Sequence, residues 1–150
     1  MMKETAKDLQ YVKWLSAEDM HLASKGWLSE LNFIKDEHRF FEDVITTFTS
    51  ELVAYGDFSD SLEIIDAINQ SEKQSQTLLH AIKTHESKLS IMVDGIDQIE
   101  EEKAYAQEHR NLIVAMTAYL SDYKSLKLQL FEIIKCIKKD NKNEHLLDRP

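Results

Sequence analysis

Apolar residues recur along most of this chain at alternating steps of four and three. Met20, Ser24, Trp27, Leu31, Ile34, His38, Phe41, Ile45, Phe48, Leu52 and Tyr55 keep that spacing, and all but Ser24 and His38 are apolar. Such a repeat lays side chains along one seam of an α-helix, as in a coiled coil. It predicts a helix over about 16–55. Ser16 followed by Asp19 resembles a capping box at its start. Glu18 and Asp19 suit the positive end of the helix dipole. Phe33, Phe40 and Val44 form a second stripe beside the seam. Two stripes predict two neighbours, and so a bundle of at least three helices.

Tyr55-Gly56-Asp57-Phe58-Ser59-Asp60 reads as a turn, with Gly56 ending one helix and Ser59 or Asp60 capping the next. Ile64, Ile68, Ser71, Ser75, Leu78, Ile82, His85, Leu89 and Met92 carry the heptad through a second helix, 60–93. The stretch from Asn69 to Gln76 is polar, which makes it the expected place for local opening. Asp94-Gly95-Ile96-Asp97 predicts the next turn, with Gly95 in a left-handed C′ position and Asp97 as the following cap. A rival reading fits the same residues. Met92, Ile96 and Ile99 keep the heptad phase, and a lone Gly costs a helix only about 1 kcal/mol. A single helix running through Gly95 also satisfies the pattern.

The third helix is expected over 98–139. His109, Met116, Tyr123, Leu130 and Ile137 form its central stripe, flanked by Leu112, Tyr119, Leu126 and Ile133 on one side and by Ile113, Leu120 and Ile134 on the other. Residues 1–15 fit neither period and are read as an arm or a fourth, short helix. Residues 140–150 have no period and are read as a flexible tail. The expected fold is all-α: an antiparallel up-down bundle of three long helices with coiled-coil-like seams. Apolar residues left over, such as Phe131 and Trp14, predict a homodimer.

Composition supports this. The chain has three Gly and one Pro in 150 residues, far too few for the tight turns of a sheet protein. The net charge of −9 argues against nucleic acid, whose phosphates call for a basic surface, and against an anionic membrane surface. No apolar run reaches the roughly 20 residues that cross a bilayer. No signal peptide is visible, and the single cysteine, Cys136, cannot form an intramolecular disulfide. The expected location is the cytoplasm. Lys135, Lys138 and Lys139 suit the negative end of the third helix and face the acidic 57–63 turn in an antiparallel bundle.

Histidines are the candidate chemistry. His38, His85 and His109 all fall on apolar seams, and Glu102 lies one heptad before His109. If facing residues on the first two helices sum to about 115, and on the last two to about 190, the four lie within about three turns of one another axially. Facing helices of a bundle build metal sites from such groups, and imidazole with carboxylate suits iron, zinc or manganese. The competing reading is that one polar residue per seam sets register. Glu18 and His21 have the Glu-x-x-His spacing of di-iron bundles, but only once. The three glycines are isolated, so no phosphate loop is present. Cys136 has lysines nearby but no base placed to make it a nucleophile. The function expected from sequence is therefore non-enzymatic: a scaffold, adaptor or regulatory partner acting through protein contacts, without a cofactor. The alternatives are a metal-binding bundle using His38, His85, His109 and Glu102, and a lipid or small-ligand carrier that opens at the polar middle of the second helix.

Overall fold

The computed structural model describes residues 16–54, 58–93 and 99–147. Among these, all but Ser16 and Phe48 are helical and none is in a strand. The helices are α1 (Ala17–Thr47), α2 (Thr49–Ala54), α3 (Phe58–Val93) and α4 (Ile99–Leu147). The fold is an all-α bundle in which the three long helices pack against each other. No helix among the described residues is long and apolar enough to cross a membrane. The 1–15 arm, Gly56 and the Gly95 turn sequence lie outside the described residues.

Ser16 caps α1 as its sequence predicts: the Asp19 backbone N–H donates to Ser16 Oγ at 3.1 Å, and Met20 N–H closes the first turn on the Ser16 carbonyl at 3.0 Å. The single helix expected over 16–55 is interrupted at Phe48. A threonine cluster surrounds the break. Thr46, Thr47 and Thr49 each donate a hydroxyl to the carbonyl four residues back, at 2.7–2.9 Å, and such back-bonding bends helices. The ladder still holds across the break, with Phe48 N–H on Val44 and Leu52 N–H on Phe48. At the other end of the chain α4 continues to Leu147, where the lack of an apolar period suggested a tail from 140. A missing period does not stop a helix, and no Gly or Pro occurs from 140 to 149.

The chain divides into two compact units. Of the described residues, the first unit takes 16–33, 75–93 and 99–118, and the second takes 34–54, 58–74 and 119–147. Each gathers a stretch of α1, α3 and α4. In the first, Met20, Leu89 and Tyr105 form a buried cluster drawn from all three helices. In the second, Phe41, Ile68 and Leu130 are buried. Most described seam positions are buried, with the polar members Ser24, His38, Ser71, Ser75, His85 and His109 among the apolar ones, while Trp27, Ile45, Phe48 and Leu78 are partly exposed.

Packing decides between the two readings at Gly95 and corrects two other expectations. His85 and His109 are hydrogen-bonded, whereas a straight helix would hold residues 24 apart roughly 36 Å from each other. So α3 and α4 are separate antiparallel helices, and the continuous helix through Gly95 is ruled out. Register also shifts. His38 faces Ser71 and His21 faces Glu86, so facing residues on α1 and α3 sum to 107–109 and not 115. The reversal is centred about three residues earlier than Gly56 and its neighbours suggested, in keeping with α3 starting at Phe58 and not Asp60. The second stripe on α1 is the other correction. Phe33 and Phe40 are 63% and 56% exposed, so they mark an outward face and not a second intramolecular neighbour.

Candidate functional site

Each unit encloses histidine on its seam. In the first, His85 from α3 and His109 from α4 are 0% and 1% exposed. His85 Nε2 and His109 Nδ1 are 3.1 Å apart, and His85 Nδ1 is 2.9 Å from Glu108 Oε1. A carboxylate only accepts, so His85 Nδ1 carries the proton and donates to Glu108. Neutral His85 then accepts at Nε2 from His109 Nδ1–H. Lys88 Nζ donates to the other Glu108 oxygen at 3.0 Å. The result is a line running from ammonium to carboxylate to imidazole to imidazole. Aromatic rings close it on both sides. Tyr105 stacks on His85 with centroids 3.9 Å apart, and Trp27 stacks on His109 at 4.9 Å.

Burial sets the protonation of this line. It lowers His109, with help from the neighbouring His85, to about 4. It lowers His85 as well, against the opposing pull of Glu108. Burial pushes Glu108 up, but Lys88 and His85 together hold it below the ordinary carboxylate value. Burial, with the Glu86 and Glu108 charges, pushes the Tyr105 phenol well up. Tyr105 Oη is buried without a hydrogen-bond partner. Glu86 Oε1 lies 2.6 Å from His21 Nδ1, close enough for an ion pair but without hydrogen-bond geometry.

The second unit uses one imidazole. His38 Nε2 bonds Ser71 Oγ at 3.1 Å, and Ser71 Oγ is 3.1 Å from Tyr119 Oη, which donates to the Ser71 carbonyl at the same distance. Ser71, in the polar middle of the second predicted helix, is thus bonded to both of the other long helices. Tyr123 donates to Glu37 Oε1 at 2.7 Å, and Lys127 Nζ lies 3.2 Å from Glu37 Oε2 and 5.5 Å over the Tyr123 ring. Burial lowers His38, while the Ile34 backbone and then Glu37 and Glu42 pull it up. His38 Nδ1 nonetheless lacks a well-formed hydrogen bond. Burial and the Glu37 carboxylate push Tyr123 well up. On the surface, Glu72 faces Glu42 and raises its carboxyl.

Of the four metal candidates, the structure brings His85 and His109 together. His38 belongs to the other unit, and Glu102 is an exposed side chain on the first turn of α4. Among the described residues no three His, Cys, Asp or Glu side chains converge as a metal would require. The register shift accounts for this, since axial levels reckoned from the wrong pivot aligned groups that do not face each other. Tyr105 and Glu108 complete the first cluster and were not singled out from sequence. Tyr105 had a signal, because stepping back four from His109 continues the seam. Glu108 had none beyond adjacency.

Both imidazoles of the first unit are closed to solvent, and their line ends on the Trp27 ring with no nucleophile. Comparison of the chain with models of protein families, with curated proteins and with solved structures finds no match to any of them.

Proposed function

We propose that the chain is a non-enzymatic helical bundle that works through protein–protein contacts, as a scaffold, adaptor or regulatory partner. One observation carries this reading: the heptad stripe at Phe33 and Phe40 is intact in sequence yet faces outward. Single exposed apolar residues are ordinary, but two phenylalanines one heptad apart on one helix are the pattern by which helices receive a partner. The buried polar groups, by contrast, are turned inward on one another. The lone Cys136 fits a reducing compartment, so the reading includes a cytoplasmic location.

Photo-crosslinking from position 33 or 40 in an extract of the source cells tests it. Discrete protein adducts are expected from these positions and not from exposed Gln74. A monodisperse monomer giving no adduct at either position would end the reading.

A further inference from the structure

The outward face of α1 has a counterpart on α4. On α1, Phe33, Asp36, Phe40 and Asp43 follow at steps of three, four and three, and all are exposed. On α4, Lys124, Leu128, Phe131, Lys135 and Lys138 follow at steps of four, three, four and three, and all are exposed. Each helix therefore has a second heptad seam on its outer side, apolar with acids on α1 and apolar with lysines on α4. Within the second unit the two seams adjoin. Phe41 lies 6.1 Å from Phe40 and 5.8 Å from Phe131, centroid to centroid. α1 and α4 run parallel there, since Glu37 meets Tyr123 and the later Phe41 meets the later Phe131.

We propose that this α1–α4 face of the second unit is the interface of a two-fold homodimer, with α1 of each copy lying parallel on α4 of the other. Two-fold contacts require a self-complementary surface. This face supplies one, because a two-fold axis along the helices lays Asp36 and Asp43 against the lysines of the second copy's α4 and sets Phe40 beside Leu128 and Phe131 at the centre. The chain as a whole is acidic, but on this face two acids on α1 are set against three lysines on α4, so opposite charges meet across the contact. The inference rests on the protein-contact reading above and names its partner.

Charge reversal tests it, followed by sedimentation velocity, with circular dichroism as a check on folding. The parent is expected to dimerise in the micromolar range. Phe40→Glu should weaken the dimer about thirtyfold or more, as the loss of a central aromatic anchor does. Asp36→Lys/Asp43→Lys makes both seams basic, and Lys135→Glu/Lys138→Glu makes both acidic. Each double variant alone should be monomeric, and an equimolar mixture should form the heterodimer. A dimer that ignores all these substitutions, or a mixture that stays monomeric while both variants remain helical, overturns the proposal. A monomeric parent whose position 40 crosslinks to a different protein overturns the second copy but leaves the contact function standing.

Discussion

In the first unit two imidazoles hydrogen-bond each other, with Glu108 and Lys88 behind them. In the second a single imidazole bonds a serine hydroxyl, and the acidic and basic pair, Glu37 and Lys127, is handed to a tyrosine instead. Both arrangements bury polar atoms on an apolar seam, and both use a half-buried Glu–Lys pair at the margin. They differ in what a proton does. Ser71, Tyr119 and Tyr123 stay neutral across the ordinary pH range. A proton added to either imidazole of the first unit must sit beside another titratable ring in a site closed to water, where uncompensated charge is costly. The same device, a polar residue setting helix register, therefore meets acid with one lowered imidazole in the second unit and with two adjoining ones in the first.

The largest effect is expected from the apolar side of the comparison. Phe41 is buried at 2% exposure and touches His38, Tyr123, Phe40 and Phe131. Phe41→Ala should cost about 3–5 kcal/mol, read from urea unfolding. Amide exchange should rise first in 58–74 and 119–139. Equal loss of protection in 75–93 would show one cooperative unit in place of two and would break the comparison.

Acid should act on the other unit. The folded chain holds His109 near 4, while unfolding returns it to its ordinary 6.5, so the unfolded chain binds the extra proton. This stability is fully present above about pH 6.5 and is lost as pH falls toward 4. At about 1.4 kcal/mol per unit, the loss is on the order of 3 kcal/mol. Lowered His85 and lowered Glu108 add to it in the same direction. The groups facing the pair are Trp27 of α1, Lys88 and Glu86 of α3, and Tyr105 and Glu108 of α4. In the second unit His38 pulls the same way, but Glu42, raised by Glu72, pulls oppositely because protonation relieves their repulsion. Exchange protection in 75–93 and 99–118 should thus fail first on acidification. His85→Phe/His109→Leu sharpens the point. It replaces both partners with apolar groups and should change stability at neutral pH by only about 1–2 kcal/mol. It should also abolish most of the acid loss. His109→Leu alone leaves His85 Nε2 without its donor and should cost about 1–3 kcal/mol at neutral pH. A double variant as acid-sensitive as the parent would place the titration elsewhere.

How much of this was legible in the chain follows from the same residues. Each seam position from Met20 to Leu52 was readable because a heptad needs only residue type and spacing, and burial of the three histidines followed from their place in it. Axial level was not readable to better than a turn, since it depends on where each reversal is centred, and a three-residue error in that pivot moved His38 from a level near 77 to one at Ser71. The Phe33–Phe40 stripe showed the limit of patterning. A heptad specifies that a helix offers a face to another helix, without saying whether that helix belongs to the same chain. The Phe48 interruption was hidden because the apolar period runs through it unbroken, while the side-chain bonds of Thr46, Thr47 and Thr49 beside it leave no mark on that period.

The smallest expected effects separate the two Glu–Lys pairs. Glu37 and Lys127 are 21% and 32% exposed, and Glu108 and Lys88 are 36% and 53% exposed. Pairs so open to water contribute up to about 1 kcal/mol, so Glu37→Gln and Glu108→Gln should each cost no more than that at neutral pH, and less at high salt. Below about pH 6.5 they should diverge. The Gln at 37 still offers Tyr123 an oxygen and removes only the through-space pull of Glu37 on His38, so the acid profile of the chain should move little. The Gln at 108 removes the one carboxylate bonded to His85, which does most, ahead of the Glu86 charge, to oppose the burial of an imidazolium there. His85 should then titrate lower still in the folded chain, and stability should fall more steeply between pH 6.5 and 4 than in the parent. Parallel acid profiles for the two variants would mean that Glu108 is only a surface partner of Lys88, and that the imidazole pair is governed by burial alone.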